Sequence, residues 1–221
     1  TTTLGDGSGE MSSLSGVNLG EGKIAIHIST TSDTTCVILN DGNVKCWGEG
    51  RSGMLGNGGT SDIGNASGEM ESIDAINLGT GRTATQISAG YQHTCAVLDN
   101  GEVKCWGRNH KGQLGQENND NIGDASGEMA SLSAVFLGSG RTAAQVETGN
   151  FHTCALLDNG SVKCWGHNDK GQLGMDNTDR IGEESGDMTS LGVVNLGSGR
   201  TATQISLGKK HSCALLDNGS A

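Results

Sequence analysis

The chain contains no proline, and only 3% of its 221 residues are aromatic. So little aromatic bulk would starve one large core, whereas a repeat protein spreads small cores between its units. No basic tract offsets the formal net charge of −11, so nothing electrostatic draws the chain to nucleic acid or an anionic membrane. We read the acidity as solubility. No run of 18 apolar residues occurs, and no membrane insertion is expected. The opening Thr1-Thr2-Thr3-Leu4-Gly5 has neither the basic start nor the apolar stretch of a signal peptide, as expected of a mature or internal fragment. Catalytic signatures are missing as well. There is no Gly-x-Ser-x-Gly elbow, no His-Glu-x-x-His, no phosphate loop and no unrepeated cluster of acid, base and nucleophile, so neither an enzyme nor a cofactor is expected.

What is present is repetition. The segment His93-Thr94-Cys95-Ala96-Val97-Leu98-Asp99-Asn100-Gly101-Glu102-Val103-Lys104-Cys105-Trp106-Gly107 recurs at Cys154–Gly166, more weakly at Cys36–Gly48, and begins again at His211. The leading cysteines stand at 36, 95, 154 and 213 and the tryptophans at 47, 106 and 165, a constant step of 59 residues. A fixed period of this size means units that bury their faces against one another. Residues 23–81, 82–140 and 141–199 are three whole units; 1–22 is the tail of a preceding one and 200–221 opens another. The whole of 1–221 is read as one array.

Each repeated segment reads as a hairpin. A three-residue loop Asp99-Asn100-Gly101, with Gly101 in the left-handed region, sets Val97 opposite Val103 and Cys95 opposite Cys105. Opposed residues of an antiparallel pair come within reach of a disulfide after modest twisting. Bridges Cys36–Cys46, Cys95–Cys105 and Cys154–Cys164 are therefore expected, with reduced thiols or a metal site as the alternatives; zinc wants more ligands close by than this spacing supplies. Cys213 is the odd one, its partner expected ten residues on, beyond Ala221. Repeated cysteine pairs point to an oxidising compartment, hence a secreted or cell-surface protein.

Both faces of the hairpin are apolar, with Cys95, Val97, Val103 and Cys105 on one and Ala96 and Leu98 on the other. A strand pair buried on both sides needs sheets above and below it. Arg82–Gly90 adds a strand before the hairpin and Ala134–Gly138 one after it, beyond a glycine-punctuated turn and the polar excursion 116–124. Four short strands per unit predict an all-β fold, a β-propeller of four-stranded blades. The first whole unit is worn: Thr31 replaces the glycine seen at 90, 149 and 208, and Thr34 the histidine seen at 93, 152 and 211.

Gly90-x-x-His93-Thr94, Asp99-x-Gly101-x-Val103-x-x-Trp106-Gly107 and Asn109-x-x-Gly112-Gln113-Leu114-Gly115 together resemble the repeat of the regulator of chromosome condensation family. The likeness recurs at Gly149–Gly174, in part at Thr31–Gly56, and starts again at Gly208. It implies a β-propeller, usually of seven blades, of which about four are visible here. The family's founding function is nucleotide exchange on a small GTPase bound to chromatin. Other members are secreted binding proteins, including propeller inhibitors of β-lactamase, and the cysteine-containing repeats with their Ser-Gly-Glu-Met insert look more like these extracellular relatives. The expected role is a non-enzymatic structural or adhesive module, whose partners are other proteins of an extracellular assembly or further copies of the chain. A partner-binding or inhibitory propeller and a GTPase exchange factor are the alternatives. Aromatics gathered on one rim would favour the binding propeller, because binding hot spots are rich in Trp and Tyr.

Smaller features have duller readings. His93, His152 and His211 recur because a repeated structural hydrogen bond recurs. Asn118-Asn119-Asp120-Asn121 and Asp176-Asn177-Thr178-Asp179 carry calcium-type oxygens without the alternating spacing of a calcium loop, and read as solvated loops. Gly48-Glu49-Gly50-Arg51-Ser52-Gly53 matches the dinucleotide fingerprint by chance, lacking a βαβ unit. Arg82, Arg141 and Arg200 are candidates to cap a carboxylate such as Glu128 or Asp187. Asn65, Asn159 and Asn218 head Asn-x-Ser acceptors and are possible glycosylation sites in a eukaryotic secreted protein.

Overall fold

The computed structural model describes residues 6–221; the opening Thr1–Gly5, on which the reading about a leader rests, lies outside the described residues. Three units each form a three-stranded antiparallel sheet: β1 (Ala25–Thr30), β2 (Thr34–Leu39) and β3 (Val44–Gly48); β4 (Ala84–Ala89), β5 (His93–Leu98) and β6 (Val103–Gly107); β7 (Ala143–Thr148), β8 (His152–Leu157) and β9 (Val162–Gly166). A two-stranded sheet of β10 (Ala202–Leu207) and β11 (Ser212–Leu216) follows. These are consecutive blades of a β-propeller, with the first strand of each sheet innermost and adjoining that of the next blade.

The hairpin register follows from its loop. The Leu98 amide donates to Glu102 O and the Gly101 amide to Leu98 O, with Gly101 at φ 78°. Val97 then faces Val103 and Cys95 faces Cys105, with 4.1 Å between the cysteine Cα atoms, the close spacing of a non-hydrogen-bonded pair. Disulfides join Cys36–Cys46, Cys95–Cys105 and Cys154–Cys164, and Cys213 is free and exposed.

The fourth strand of each blade comes in two pieces rather than as the continuous run 134–138. Ile122 pairs with Gly107 at one end of β6, and the Val135 amide donates to Val103 O at the other. Between them the Ser-Gly-Glu-Met insert folds into a four-residue helix, α3 (Glu128–Ser131), as the same insert does at α1 (Glu10–Ser13) and α2 (Glu69–Ser72), with Ser-Gly-Asp-Met forming α4 (Asp187–Ser190). Gly127, at φ 88°, turns the chain into α3, and the Glu128 carboxylate accepts from the Gly123 and Ala125 amides. The insert thus interrupts the outer strand where the sequence pattern alone reads straight through.

Cores lie between blades, not within them. Cys36, Ile38, Val44 and Cys46 of the first blade pack against Ile87, Ala96, Leu98 and Trp106 of the second. Cys95, Val97, Val103 and Cys105 then meet Val146, Ala155, Leu157 and Trp165 of the third. Both hairpin faces are buried, and Trp106 and Trp165 are wholly enclosed. Ile28 holds the place of Ile87 but is 62% exposed against 1%, because no described sheet covers the outer side of the first blade.

Candidate functional site

Side chains complete the joints between blades, and the repeated residues meet there. The Trp165 Nε1–H donates to Gln113 O of the preceding blade at 3.0 Å, and the Thr153 hydroxyl donates to the same carbonyl at 2.9 Å. Thr153, having given its proton, accepts from His93 Nε2–H at 2.9 Å. One node therefore joins the His-Thr, Trp-Gly and Gly-Gln-Leu-Gly motifs. His152 repeats the link to Ser212 Oγ at 3.1 Å, with Ser212 donating to Gln172 O. This geometry leaves Nδ1 of His93 and His152 bare and without a partner. Burial lowers the two pKa values to about 3 and about 4, reinforced for His93 by His152 and opposed for His152 by the backbone of His211.

The worn unit now has a physical explanation. A Cβ at position 149 would sit 2.2 Å from His152 Cε1, and one at position 90 would sit 3.0 Å from His93 Cε1. The ring thus crowds the glycine at 149, whereas at 90 the Gly149 carbonyl at 2.6 Å and Thr148 Cβ at 2.9 Å stand closer than the ring does. Where Thr34 replaces the histidine that pressure is gone, and Thr31 takes the glycine's place, its Oγ1 accepting from the Asp33 and Thr34 amides.

A second stitch went unread in the sequence. Gln86 donates to Val146 O at 2.9 Å and accepts from Val146 N at 2.7 Å, and Gln145 treats Ile205 likewise, both at 2.9 Å. Each side-chain amide thus stands in for a strand between neighbouring inner strands. The signal was available, since Gln86, Gln145 and Gln204 keep the 59-residue step, broken only by His27. Beside this ladder Glu147 replaces the serines at 29, 88 and 206, and burial raises its pKa against hydrogen bonds from Gln145 and Ser88.

The polar excursions hold themselves together. Asn118 Oδ1 accepts from Asn109 Nδ2 and the Asp120 amide, and Asn177 Oδ1 from Asn168 Nδ2 and the Asp179 amide. Among the described residues no group of three or more His, Cys, Asp or Glu side chains is placed to hold a metal, and no helix is long and apolar enough to cross a membrane. The arginines do not cap the insert carboxylates. Arg82, Arg141 and Arg200 pair instead with Asp99, Asp158 and Asp217 of their own hairpin tips, at 3.4, 3.1 and 3.4 Å, because each lies just before an inner strand whose first residue pairs beside that tip. Asn159 and Asn218 stand exposed on those tips and Asn65 on an outer loop; Asn159 Oδ1 accepts from the Ser161 amide.

The opposite end of the blades carries the turns before the hairpins and the loops after them. Here Phe151 is the hub of four rings from two blades. Tyr91, His110 and His167 approach it edge-on, with centroids at 5.7, 5.1 and 6.3 Å. Tyr91 and Phe151 lie one place out of register in the repeat, and packing of one blade on the next closes that offset. Arg108, Lys111 and Arg180 surround His110; burial and these cations lower its pKa to about 4. Asp169 lies 3.6 Å from His167, 3.5 Å from Lys170 and 3.7 Å from Lys210. Toward the axis, an open funnel of ≈ 370 Å³ is lined by Thr31, Ala89, Tyr91, Thr148, Asn150 and Lys209. Aromatic and cationic groups are thus gathered on one rim.

Comparison with known proteins agrees with this architecture. The Regulator of chromosome condensation (RCC1) repeat matches residues 25–53, 84–113 and 143–172. The Ultraviolet-B receptor UVR8 of Arabidopsis thaliana is 30% identical over 201 residues, covering 90% of this chain and 41% of that protein. The Probable E3 ubiquitin-protein ligase HERC6 of Homo sapiens is 29% identical over 193 residues, 87% of this chain and 17% of that protein. The structure of yeast RCC1 (Prp20) bound to Kap60 superposes with a TM-score of 0.68 at 17% identity, over 92% of this chain and 44% of that one. The chain spans less than half the length of each of these proteins, and the structural likeness speaks for the fold alone.

Proposed function

Since this chain is built from repeats of the regulator of chromosome condensation family, we propose that it serves as a non-enzymatic, extracellular β-propeller, a structural or adhesive protein-interaction module in a larger surface assembly. The observation that carries this reading is the cystine sealed into each of three blades, Cys36 and Cys95 being 0% exposed and Cys154 1%. Disulfides built into every unit suit an oxidising compartment, and small cores gain most from them. The division into whole units 23–81, 82–140 and 141–199, with partial units 1–22 and 200–221, belongs to the same proposal. So do glycans on Asn65, Asn159 and Asn218. The two tip acceptors lie at the end of the blades away from the Phe151 rings, so glycans there would leave that rim free.

A second reading, a secreted propeller that binds or inhibits one particular partner, is favoured by the rings around Phe151. Nothing comparable supports guanine-nucleotide exchange.

Antibody raised against the folded chain is expected to label intact, unpermeabilised producing cells or their medium. Labelling seen only after permeabilisation would overturn the extracellular reading. Intact mass before and after deglycosylation reads the acceptors in the same preparation, and an unchanged mass removes the glycans from the proposal.

A further inference from the structure

The repeat is strict at some positions of the ring face and broken at others. Gly90, Gly149 and Gly208 agree, as do His93, His152 and His211, and Asn109 and Asn168. Between them the blades diverge. The place of Tyr91 is taken by Ser32, Asn150 and Lys209, and that of Phe151 by Asp33, Gln92 and Lys210. The place of Arg108 is taken by Glu49 and His167, and that of Arg180 by Asp62 and Asn121. Residues that hold blades together must recur, because the joint recurs. Residues that meet a single partner have no reason to.

We propose that the face of the second to fourth blades, centred on Phe151, docks an acidic segment of a partner protein. This rests on the reading of the chain as an interaction propeller and names the chemistry of its partner. Charge complementarity chooses the occupant. Although the chain carries 25 acidic residues against 14 basic ones, Arg108, Lys111, Arg180 and Lys210 all lie around the ring cluster. Every charge acting on His110 is cationic. Asp169 and Glu183 are the carboxylates among them, each already paired, Glu183 with Arg180 at 3.3 Å. The first blade presents Asp33, Glu49 and Asp62 at equivalent places with one cation, Arg51, which pairs with Glu49, so an acidic segment meets net negative charge there and is held over the later blades. Edge-on rings around Phe151, with Tyr91 38% exposed, give apolar contact to the stems and neighbours of the incoming carboxylates. A sulfated glycan offers the charge without that apolar content, and so would ignore the rings.

The probe is a fluorescein-labelled peptide of alternating glutamate and leucine, titrated against the full chain beside its glutamine-for-glutamate counterpart and a heparin oligosaccharide. Saturable binding of the glutamate peptide, weakened by added salt, is expected. Lys111→Gln with Arg180→Gln should weaken it roughly tenfold, the sum of two exposed ion pairs within their usual range. The charge-matched pair Arg82→Gln with Arg141→Gln, at the other end of the blades, should leave it unchanged. Phe151→Ala should weaken the peptide and spare heparin. Tyr91→Ser, which copies the first blade's Ser32, keeps the test open should Phe151→Ala fold poorly. Equal losses in the two charge-matched pairs, equal binding of the glutamine peptide, or binding of heparin alone would overturn the proposal. Surface labelling of cells is independent of this titration, so failure of one leaves the other standing.

Discussion

Replacing Cys95 and Cys105 together by alanine is expected to cost about 2–3 kcal/mol, the chain-entropy value for a loop of this length. The bridge closes a hairpin whose ends are ten residues apart, and its sulfurs sit in the core between the second and third blades. Removing all three bridges should cost about 6–9 kcal/mol on the same scale, against the roughly 5–15 kcal/mol that holds a typical domain together. A reductant alone should therefore unfold the array or bring it to the edge of unfolding. The loss spreads, because a loosened middle blade withdraws one wall from the core on either side. Denaturant midpoints with and without reductant check this; superimposable curves would mean that the cystines constrain nothing.

Acid should begin to destabilise the protein above the range in which most of its carboxylates protonate. His93 and His152 are buried and Nδ1 of each makes no hydrogen bond, and their pKa values lie near 3 and 4 rather than the ordinary 6.5. In the unfolded chain both imidazoles take up a proton as pH falls below about 6.5, whereas in the fold they resist until near 4 and 3. The unfolded state then binds more protons, so stability falls as pH falls. At about 1.4 kcal/mol per unit for each ring, lowering pH from 6.5 to 4.5 should remove about 5 kcal/mol through these two, and His110, whose pKa is also lowered to about 4, adds to the loss. Glu147 works against this, since its raised pKa favours the fold as it protonates. Changing His93 to asparagine removes one of the two rings and should lessen the slope, at a cost in stability from the lost contact with Thr153. Chemical denaturation at the two pH values reads the difference; equal midpoints, or greater stability at the lower pH, would contradict the assignment of two neutral buried rings.

Much of the blade was legible because its signals are local. Asp-Asn-Gly sets the hairpin loop, the loop sets the register, and the register sets Cys95 against Cys105. The period of 59 supplied the stacking of blades, since a hairpin apolar on both faces cannot stand alone. The outer strand was misread at 134–138, where apolar alternation hides that the insert at α3 divides it. The arginines were misassigned because Asp99, Asp158 and Asp217 lie 17 residues on and are brought close only by the pairing of the inner strand with the hairpin. Least legible was the rim. Phe151 meets Tyr91, His110 and His167 only through the placing of one blade on the next, and no two of these four occupy equivalent places in the repeat.

The central claim is that this is a cystine-pinned propeller made for the outside of the cell, and counting thiols in protein taken from its source without reductant tests it most directly. The structure predicts that Cys36, Cys46, Cys95, Cys105, Cys154 and Cys164 are engaged in three bridges, which leaves Cys213 as the one cysteine of this segment not paired within it. All seven free would contradict it, and return the family's intracellular roles to first place.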